Sequence, residues 1–364
     1  MSTPTPTLAK AALISFGVSA LLLPAQGVTT FTSPSGYTKL VATKAPSTSV
    51  PAYSFISHSL AQKRKVGGVI TGGGASSLTS TGAGWGVNEF STTPHYVLMG
   101  DGAKEGTMFE IVSNTADTLT LASGDLSGNV NDSFRIYEHN TLGSIFGADP
   151  VANGVVGGFG PATADQILLY DTASGGFKTY FYKNLDDFGD EEDVLGWVNA
   201  SNNHVEVSSL VIAANRGFVY VRRDHTADLS ITVFGDVIDS SINVAIIPGF
   251  NLVPVPTPVA TGVTLGNSGL APTNPTDPID PSIHLKAGFG AATADTIFIW
   301  NGSGYDTFFF KNVDDFGDED DVLGWVNASN NHTAVPDTSL EPGSFFISRS
   351  ANPALDWVFP SIVP

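Results

Sequence analysis

The chain of 364 residues contains no cysteine, and this absence removes several kinds of chemistry at once. Without cysteine there is no disulfide, no thiolate nucleophile and no sulfur ligand for a metal. Small secreted domains often depend on disulfides, but a chain of this length can bury hydrophobic cores without them. We therefore expect a fold that is stabilised by packing alone.

Basic residues are also scarce. The sequence has 16 Lys and Arg against 35 Asp and Glu, which gives a formal net charge of −19. Binding to nucleic acid requires clustered Lys and Arg that neutralise phosphates, so nucleic acid is excluded as a partner. An acidic surface is typical of a soluble protein that meets cations or basic surfaces.

Long helical periodicity is absent after residue 27. Short apolar or alternating runs recur instead, separated by Gly, Asn, Asp and Pro, and the chain contains 39 Gly and 22 Pro. This pattern is typical of short strands joined by turns. The sequence predicts an all-β protein with a multi-domain β-sandwich or small β-barrel architecture and an internal duplicated β unit.

The first 27 residues are typical of a signal peptide. Lys10 precedes the apolar run 11–24, and the small residues Ala25 and Gly27 follow it. The run is too short for a stable membrane span. We therefore expect a protein secreted to the periplasm, cell surface or extracellular space, with no membrane span after cleavage.

A long internal repeat dominates the second half of the chain. Residues 183–204 and 311–332 differ only at Leu185/Val313 and Glu192/Asp320 across 22 positions. Upstream, GFGPATADQILLY (158–170) matches GFGAATADTIFIW (288–300). Such a repeat means that one supersecondary unit is built twice.

The repeat and the Pro-rich tract between its copies predict the domain boundaries. The tract contains too many prolines for a central strand and is typical of an extended linker. The predicted segments are a signal peptide (1–27), an N-terminal β domain (28–150), repeat copy one (151–250), a Pro-rich linker (251–282) and repeat copy two (283–364).

Each copy contains a dense run of carboxylates beside a glycine, Gly189 or Gly317. Ca²⁺ prefers such hard oxygen ligands, although the spacing is not that of an EF-hand loop. The alternative is a solvated acidic loop that contributes only solubility. The candidate Ca²⁺ ligands are Asp186, Asp187, Asp190, Glu191, Glu192, Asp193, Asp314, Asp315, Asp318, Glu319, Asp320 and Asp321.

Aromatic residues recur at matching positions of the two copies. Exposed aromatic rings on a β face can stack on sugars, whereas rings at alternate strand positions more often fill a sandwich core. Arg223 and Arg349 are interpreted as charges at strand edges. The candidate ligand-binding residues are Tyr182, Trp197, Phe310 and Trp325.

No catalytic motif is present. The matched His204 and His332 lack metal-ligand spacing, and neither a nucleophile elbow nor a phosphate-binding loop occurs. A glycosidase needs two carboxylates placed by the fold, and sequence alone does not exclude such a pair. We therefore expect a binding protein rather than an enzyme.

Several segments resemble a family of secreted β-rich "conserved hypothetical" proteins, found mainly in Verrucomicrobia-like environmental bacteria. The resemblance implies a part of an extracellular or outer-surface layer and assigns no activity, cofactor or site residue. The doubled acidic runs depart from that family's pattern. The resembling segments are GYTKL (36–40), IVSNTADTLTLASGDLSG (111–128), the run from NDSFRI to TLGSIFG (131–147), ADQILLYD (164–171), GWVNA (196–200) and GFNLVPVPTPVATGVTLGNSGL (249–270).

Together these features predict a secreted, non-enzymatic structural, adhesive or binding protein, stabilised by Ca²⁺ if the acidic runs bind it. The expected partners are an extracellular polysaccharide, other surface proteins or further copies of the chain. Three alternatives stay open: a polysaccharide-binding module, a carbohydrate-active enzyme, and a subunit of an extracellular filament assembled by strand addition.

Overall fold

The computed structural model describes residues 34–58, 60–185, 194–238, 240–255, 262–313, 322–340, 343–350 and 354–359, with 203–204 and 331–332 described by their backbone only. The predicted signal peptide and all twelve candidate Ca²⁺ ligands lie outside the described residues. Every strand pairing in the described part is antiparallel, and none of the sheets closes into a barrel. The predicted all-β class is thus confirmed, with several separate sheets.

The first half of the chain forms ten strands and a short helix. They are β1 (Ser35–Ala42), β2 (Ala52–Ile56), β3 (Leu60–Ala61), β4 (Arg64–Val69), β5 (Gly72–Gly74), β6 (Ser77–Thr79), β7 (His95–Met99), β8 (Met108–Asn114), β9 (Thr118–Leu121), β10 (Ser133–Glu138) and helix α1 (Leu142–Phe146).

The second half contains the remaining strands. They are β11 (Gln166–Asp171), β12 (Gly176–Lys183), β13 (Gly196–Asn199), β14 (Asn202–Glu206), β15 (Phe218–Arg222), β16 (Leu229–Val237), β17 (Ile242–Ile246), β18 (Gly249–Pro254), β19 (Thr296–Trp300), β20 (Tyr305–Lys311), β21 (Gly324–Asn327), β22 (Asn330–Ala334), β23 (Ser344–Arg349) and β24 (Leu355–Phe359). Short 3₁₀ turns lie at Gly102–Lys104 and Leu265–Asn267.

The two repeat copies have the same sheet topology. One six-stranded sheet has the order β14-β13-β12-β11-β15-β2, and the other has the order β22-β21-β20-β19-β23-β18. Against each sheet packs an antiparallel pair formed by the first and last strands of the copy, β1 with β16 and β17 with β24. Each copy is therefore a complete sandwich with its own hydrophobic core.

The repeat begins earlier than its matching sequence indicates. Copy one comprises β1, β2, α1 and β11–β16, and copy two comprises β17–β24. Between β2 and α1, copy one contains an insertion that forms a seven-stranded sheet with the order β4-β10-β7-β8-β9-β6-β5 and a separate core. The predicted N-terminal domain, residues 28–150, therefore combines the first strands of copy one with this inserted sheet.

The predicted linker is part of copy two. Residues Gly249–Pro254 form β18, which pairs with β23 along its length. Pro254 is tolerated because β18 is an edge strand, where one side of the backbone needs no ladder partner. Leu265, Leu270 and Leu285 then enter the core of copy two. The described part of the predicted linker therefore contributes a strand and two core leucines to copy two.

A short shared motif reveals the equivalence of these regions. Thr141 begins helix α1, Thr264 begins the 3₁₀ turn at Leu265, and both are followed by Leu-Gly. Both threonines form a capping box, with Ser144 and Asn267 as the respective partners. Such reciprocal caps satisfy backbone N–H groups at the start of a helical turn.

Candidate functional site

A buried Asp–Arg pair anchors each sandwich. In copy one, Arg222 Nη1 donates to Asp165 Oδ2 at 2.5 Å, and the Tyr220 hydroxyl donates to the same oxygen at 2.8 Å. In copy two, Arg349 Nη1 donates to Asp295 Oδ2 at 3.3 Å. Each ion pair is enclosed, with side-chain exposures of 2% and 0%. Since buried charges must be paired, the loss of either partner would leave an uncompensated charge in the interior.

The structure corrects the interpretation of the arginines. Arg222 and Arg349 each directly follow the residue that pairs with the first residue of β11 or of β19. Arg349 is therefore equivalent to Arg222 and not to Arg223. Arg349 is a buried ion-pair partner and not a charge at a strand edge. Arg223 donates from its guanidinium to the backbone oxygens of Ala164 and Pro161.

The residues predicted to stack on a ligand lie inside the sandwiches. Trp197, Phe310 and Trp325 are buried. Tyr182 is half-buried and packs edge-to-face on Trp197, with a centroid distance of 5.6 Å. Phe310 packs on Trp325 in the same way at 5.4 Å. These rings fill the cores, which was the alternative explanation for their alternate strand positions.

Within the described part of the chain, no group of three or more His, Asp and Glu side chains is arranged to hold a metal ion. The acidic runs lie outside that part, so Ca²⁺ binding stays a prediction from the sequence. No helix among the described residues is long and apolar enough to cross a membrane.

The outer faces of the two six-stranded sheets pack against each other. On β11, Ile167 points into the core of copy one, whereas Leu168 packs with Phe346 of copy two. This arrangement follows from side-chain alternation, because strands that are apolar on both faces must be covered on both faces. Ring contacts extend across the junction from Phe55 to Trp300, Tyr305 and Phe346.

Tyr170 lines three cavities, of which two lie along this junction and one lies where the inserted sheet meets copy one. We call them together the Tyr170 groove. Their volumes are about 460, 150 and 320 Å³. The two larger cavities fall in the range of about 300–1,000 Å³ that is typical of small-molecule sites. Tyr170 therefore lies at the centre of a concave surface that is made of these three cavities.

The largest of the three, the polar cavity, lies where the inserted sheet meets copy one. It is lined by Glu110 of β8 and by Asn215 and Arg216 of the loop before β15. Glu110 Oε2 contacts Nε2 of the buried His139 at 2.7 Å, and the His139 ring lies 4.6 Å from the ring of Tyr96. Burial raises the pKa of Tyr96 well above its usual value, and the charges of Tyr137 and Glu110 add to this effect.

The cavity of 320 Å³, the aromatic pocket, has an almost entirely apolar lining. Phe346 lies at its base and contacts the rings of Tyr170, Phe250 and Tyr305 at centroid distances of 5.3, 6.3 and 6.2 Å. Phe298 lies between Phe250 and Tyr305. Phe250 and Tyr305 are 50% and 44% exposed, so the rings that line the pocket remain accessible to water.

A pattern in the sequence indicates this groove. Phe298 and Trp300 alternate along β19, as do Leu168 and Tyr170 along β11. Both sets lie opposite the core-facing residues of the same strands. A strand with large apolar residues on both faces indicates that its second face meets a partner surface. Only the fold shows that this partner is the other copy.

Comparison with protein-family models, with curated proteins and with solved structures finds no match for the chain. The resemblance to secreted proteins of environmental bacteria therefore stays a prediction. Function has to be inferred from the chemistry of the groove.

Proposed function

We propose that the protein is an exported, non-enzymatic binding or adhesive protein and that its ligand is a polysaccharide held in the Tyr170 groove. The observation that carries this proposal is the aromatic pocket, where Phe250 and Tyr305 present water-accessible rings beside Tyr170. Sugars combine apolar C–H faces with hydroxyl edges, so a site that binds them offers both aromatic rings and nearby polar groups.

The groove supplies the polar groups at its other end. Asn215 and Arg216 line both the polar cavity and the small cavity that adjoins Tyr170. Side-chain amides and guanidinium groups donate hydrogen bonds in fixed directions, which suits the hydroxyl oxygens of a sugar chain. An extended ligand that spans both ends would be held by stacking at one end and by hydrogen bonds at the other.

A binding role fits the groove better than hydrolysis. Glu110 is the only carboxylate among the described residues that line its three cavities. Hydrolysis of a glycosidic bond usually requires two carboxyl groups about 5–10 Å apart across the bond. Glu110 also contacts His139, which gives this carboxylate a role in joining the inserted sheet to the chain before α1.

The proposal is tested by affinity electrophoresis and calorimetry of residues 28–364 with soluble cellulose derivatives, xylan, galactomannan and laminarin. We expect binding to at least one polysaccharide and its loss in the double variant Phe250→Ala/Tyr305→Ala. The matched control is Tyr37→Ala/Phe234→Ala, which removes an exposed aromatic pair on β1 and β16 that lines none of the three cavities.

Wild-type protein that binds none of these polysaccharides would contradict the proposal. Equal loss of binding in the control variant would also contradict it, since the effect would then not belong to the groove. Thermal unfolding of every variant shows whether a loss of binding reflects a loss of fold.

A further inference from the structure

The repeat makes it possible to compare each groove residue with its counterpart in the other copy. Tyr170 pairs with Phe177 at the end of β11, and Trp300 pairs with Tyr305 at the end of β19. Tyr170 and Trp300 are thus equivalent. By the pairing of β2 with β15 and of β18 with β23, Tyr53 is equivalent to Phe250.

Around Trp300, one of the two equivalent residues, the indole ring fills the space between the copies. Trp300 of copy two contacts Tyr53 and Phe55 of copy one at centroid distances of 6.0 and 5.9 Å. It also packs edge-to-face on its strand neighbour Tyr305 at 5.2 Å. The junction is thus closed at this place by a ring that the chain itself provides.

Around Tyr170, the other equivalent residue, the smaller ring leaves the corresponding space open. Its ring contacts Phe177 and Phe346, but among the described residues it makes no ring contact with Phe250. The aromatic pocket occupies the gap between them. Gly175, in the turn between β11 and β12, also lines the pocket and adds no side chain to it. That turn is two residues longer than its counterpart in copy two.

We infer that the aromatic pocket is a subsite for one pyranose ring of the gluco or xylo configuration within a β-linked chain, an inference that rests on the proposed polysaccharide-binding function. Tyr170, Phe250 and Tyr305 line the pocket together with Phe298 and Phe346, so a ring bound there meets aromatic groups instead of hydrogen-bonding partners. A β-linked pyranose of these configurations has all its substituents equatorial and presents C–H groups on both faces. An axial hydroxyl, as in galactose or mannose, would place an unsatisfied polar group against an aromatic ring.

The test places the copy-two residue at the copy-one position. Tyr170→Trp introduces into the pocket the side chain that Trp300 has at the equivalent position, and we expect it to weaken binding of cellohexaose or xylohexaose about tenfold or more. Tyr37→Trp is the matched control, because it makes the same exchange at an exposed tyrosine of β1 that lines none of the three cavities. We expect it to change the affinity less than about twofold.

Selectivity gives a second readout. Wild-type protein should bind cellohexaose or xylohexaose at least about tenfold more tightly than mannohexaose, and Tyr170→Trp should abolish that preference. If Tyr170→Trp does not fold, Phe250→Ala replaces it, since Phe250 is half exposed and its truncation removes one wall of the pocket. Unchanged affinity in the folded variant overturns the inference.

The outcomes separate this inference from the proposed function. Binding of another polysaccharide, such as galactomannan, without binding of cellohexaose or xylohexaose would overturn the subsite and leave the groove as a polysaccharide-binding surface. Binding of cellohexaose that is insensitive to Tyr170→Trp would do the same. Absence of binding to every polysaccharide would overturn both.

Discussion

The two copies of the repeat share a tryptophan on the inner faces of their sandwiches and differ in ring content on the outer faces where they meet. Inside, Trp197 and Trp325 occupy the same position in the two cores. On the outer faces, Val219 of copy one is replaced by Phe346 of copy two, and Leu168 by Phe298. On the first strand of each sheet the larger side chain belongs to copy one, because Phe55 of copy one corresponds to Leu252 of copy two.

This difference follows from what each face packs against. An inner face packs against the equivalent partner strands in both copies, so the tryptophan fits in each core. An outer face packs against the outer face of the other copy, so a large side chain in one copy requires a smaller one opposite. Divergence at the junction therefore creates features that neither copy has alone, and the aromatic pocket is one of them.

The buried ion pairs are the strongest test of the equivalence of the cores. We expect Asp165→Ala and Asp295→Ala each to lower the free energy of unfolding by about 3–5 kcal/mol, because each removes a fully buried carboxylate that contacts a buried arginine. Arg222 keeps a second carboxylate, Asp224, at 3.0 Å. Chemical denaturation of each variant gives the values. A cost below about 1 kcal/mol in one copy alone would break the equivalence.

Tyr220 gives a second comparison of the two buried ion pairs, because Ile347 occupies its position in copy two. Burial raises the pKa of Tyr220 well above its usual value, and the charge of Asp165 adds to this effect. Tyr220→Phe should cost about 1–2 kcal/mol in the wild-type protein and much less in the Asp165→Ala background. Additive costs would show that the hydroxyl contributes independently of the carboxylate.

Much of the fold could be predicted from alternation and turn chemistry. The segment EIVSNTADTLTLAS (110–123) predicts a hairpin, and β8 and β9 form it, with Asn114 opposite Leu119. The Gly- and Ser-rich composition of 67–86 predicts a loop, yet this segment contains β5 and β6. A side chain at Gly73 would collide with the backbone of Leu126, so glycine there serves close packing of a strand and not flexibility.

The site could not be predicted in the same way. The segments that are identical in the two copies contain Trp197 and Trp325. Their identity reflects the packing requirements of each core and not a binding site. The groove depends on Tyr170, Phe250 and Glu110, which belong to copy one, copy two and the inserted sheet. Their proximity is set by contacts between units that are distant in sequence, and local patterns carry no information about such contacts.

Calcium offers a test in which the copies should behave alike, since their acidic runs differ by a single conservative exchange, Glu192 to Asp320. If both runs bind Ca²⁺, a concentration ten times the dissociation constant should stabilise the fold by about 1.4 kcal/mol per site. Asp190→Asn/Asp193→Asn and Asp318→Asn/Asp321→Asn should each remove about half of the rise in melting temperature. An equal rise with Mg²⁺, or none with Ca²⁺, would leave the runs as solvated surface.

His58 provides the smallest expected difference between the copies. It is buried, its Nε2 donates to the backbone oxygen of Ile212 at 2.7 Å, and Asn140 donates to its Nδ1 at 3.4 Å. Burial lowers the pKa of His58 below its usual value, with a smaller contribution from the charge of His139. At the equivalent position, two residues after the paired β18 residue Val253, copy two has the apolar Val255.

Because the pKa of His58 is lower in the folded protein than in the unfolded chain, the unfolded chain takes up the proton first as the pH falls. Stability should therefore decrease as the pH drops through about 6.5, with a slope of up to about 1.4 kcal/mol per pH unit from this group. Denaturation at pH 7.5 and 5.5 should show a shallower decrease in His58→Val, which introduces the residue of copy two. This variant loses the hydrogen bond to Ile212 at both pH values, so its constant cost cancels in the slope. An unchanged slope would mean that other groups produce the acid sensitivity and that copy one gains none from its buried histidine.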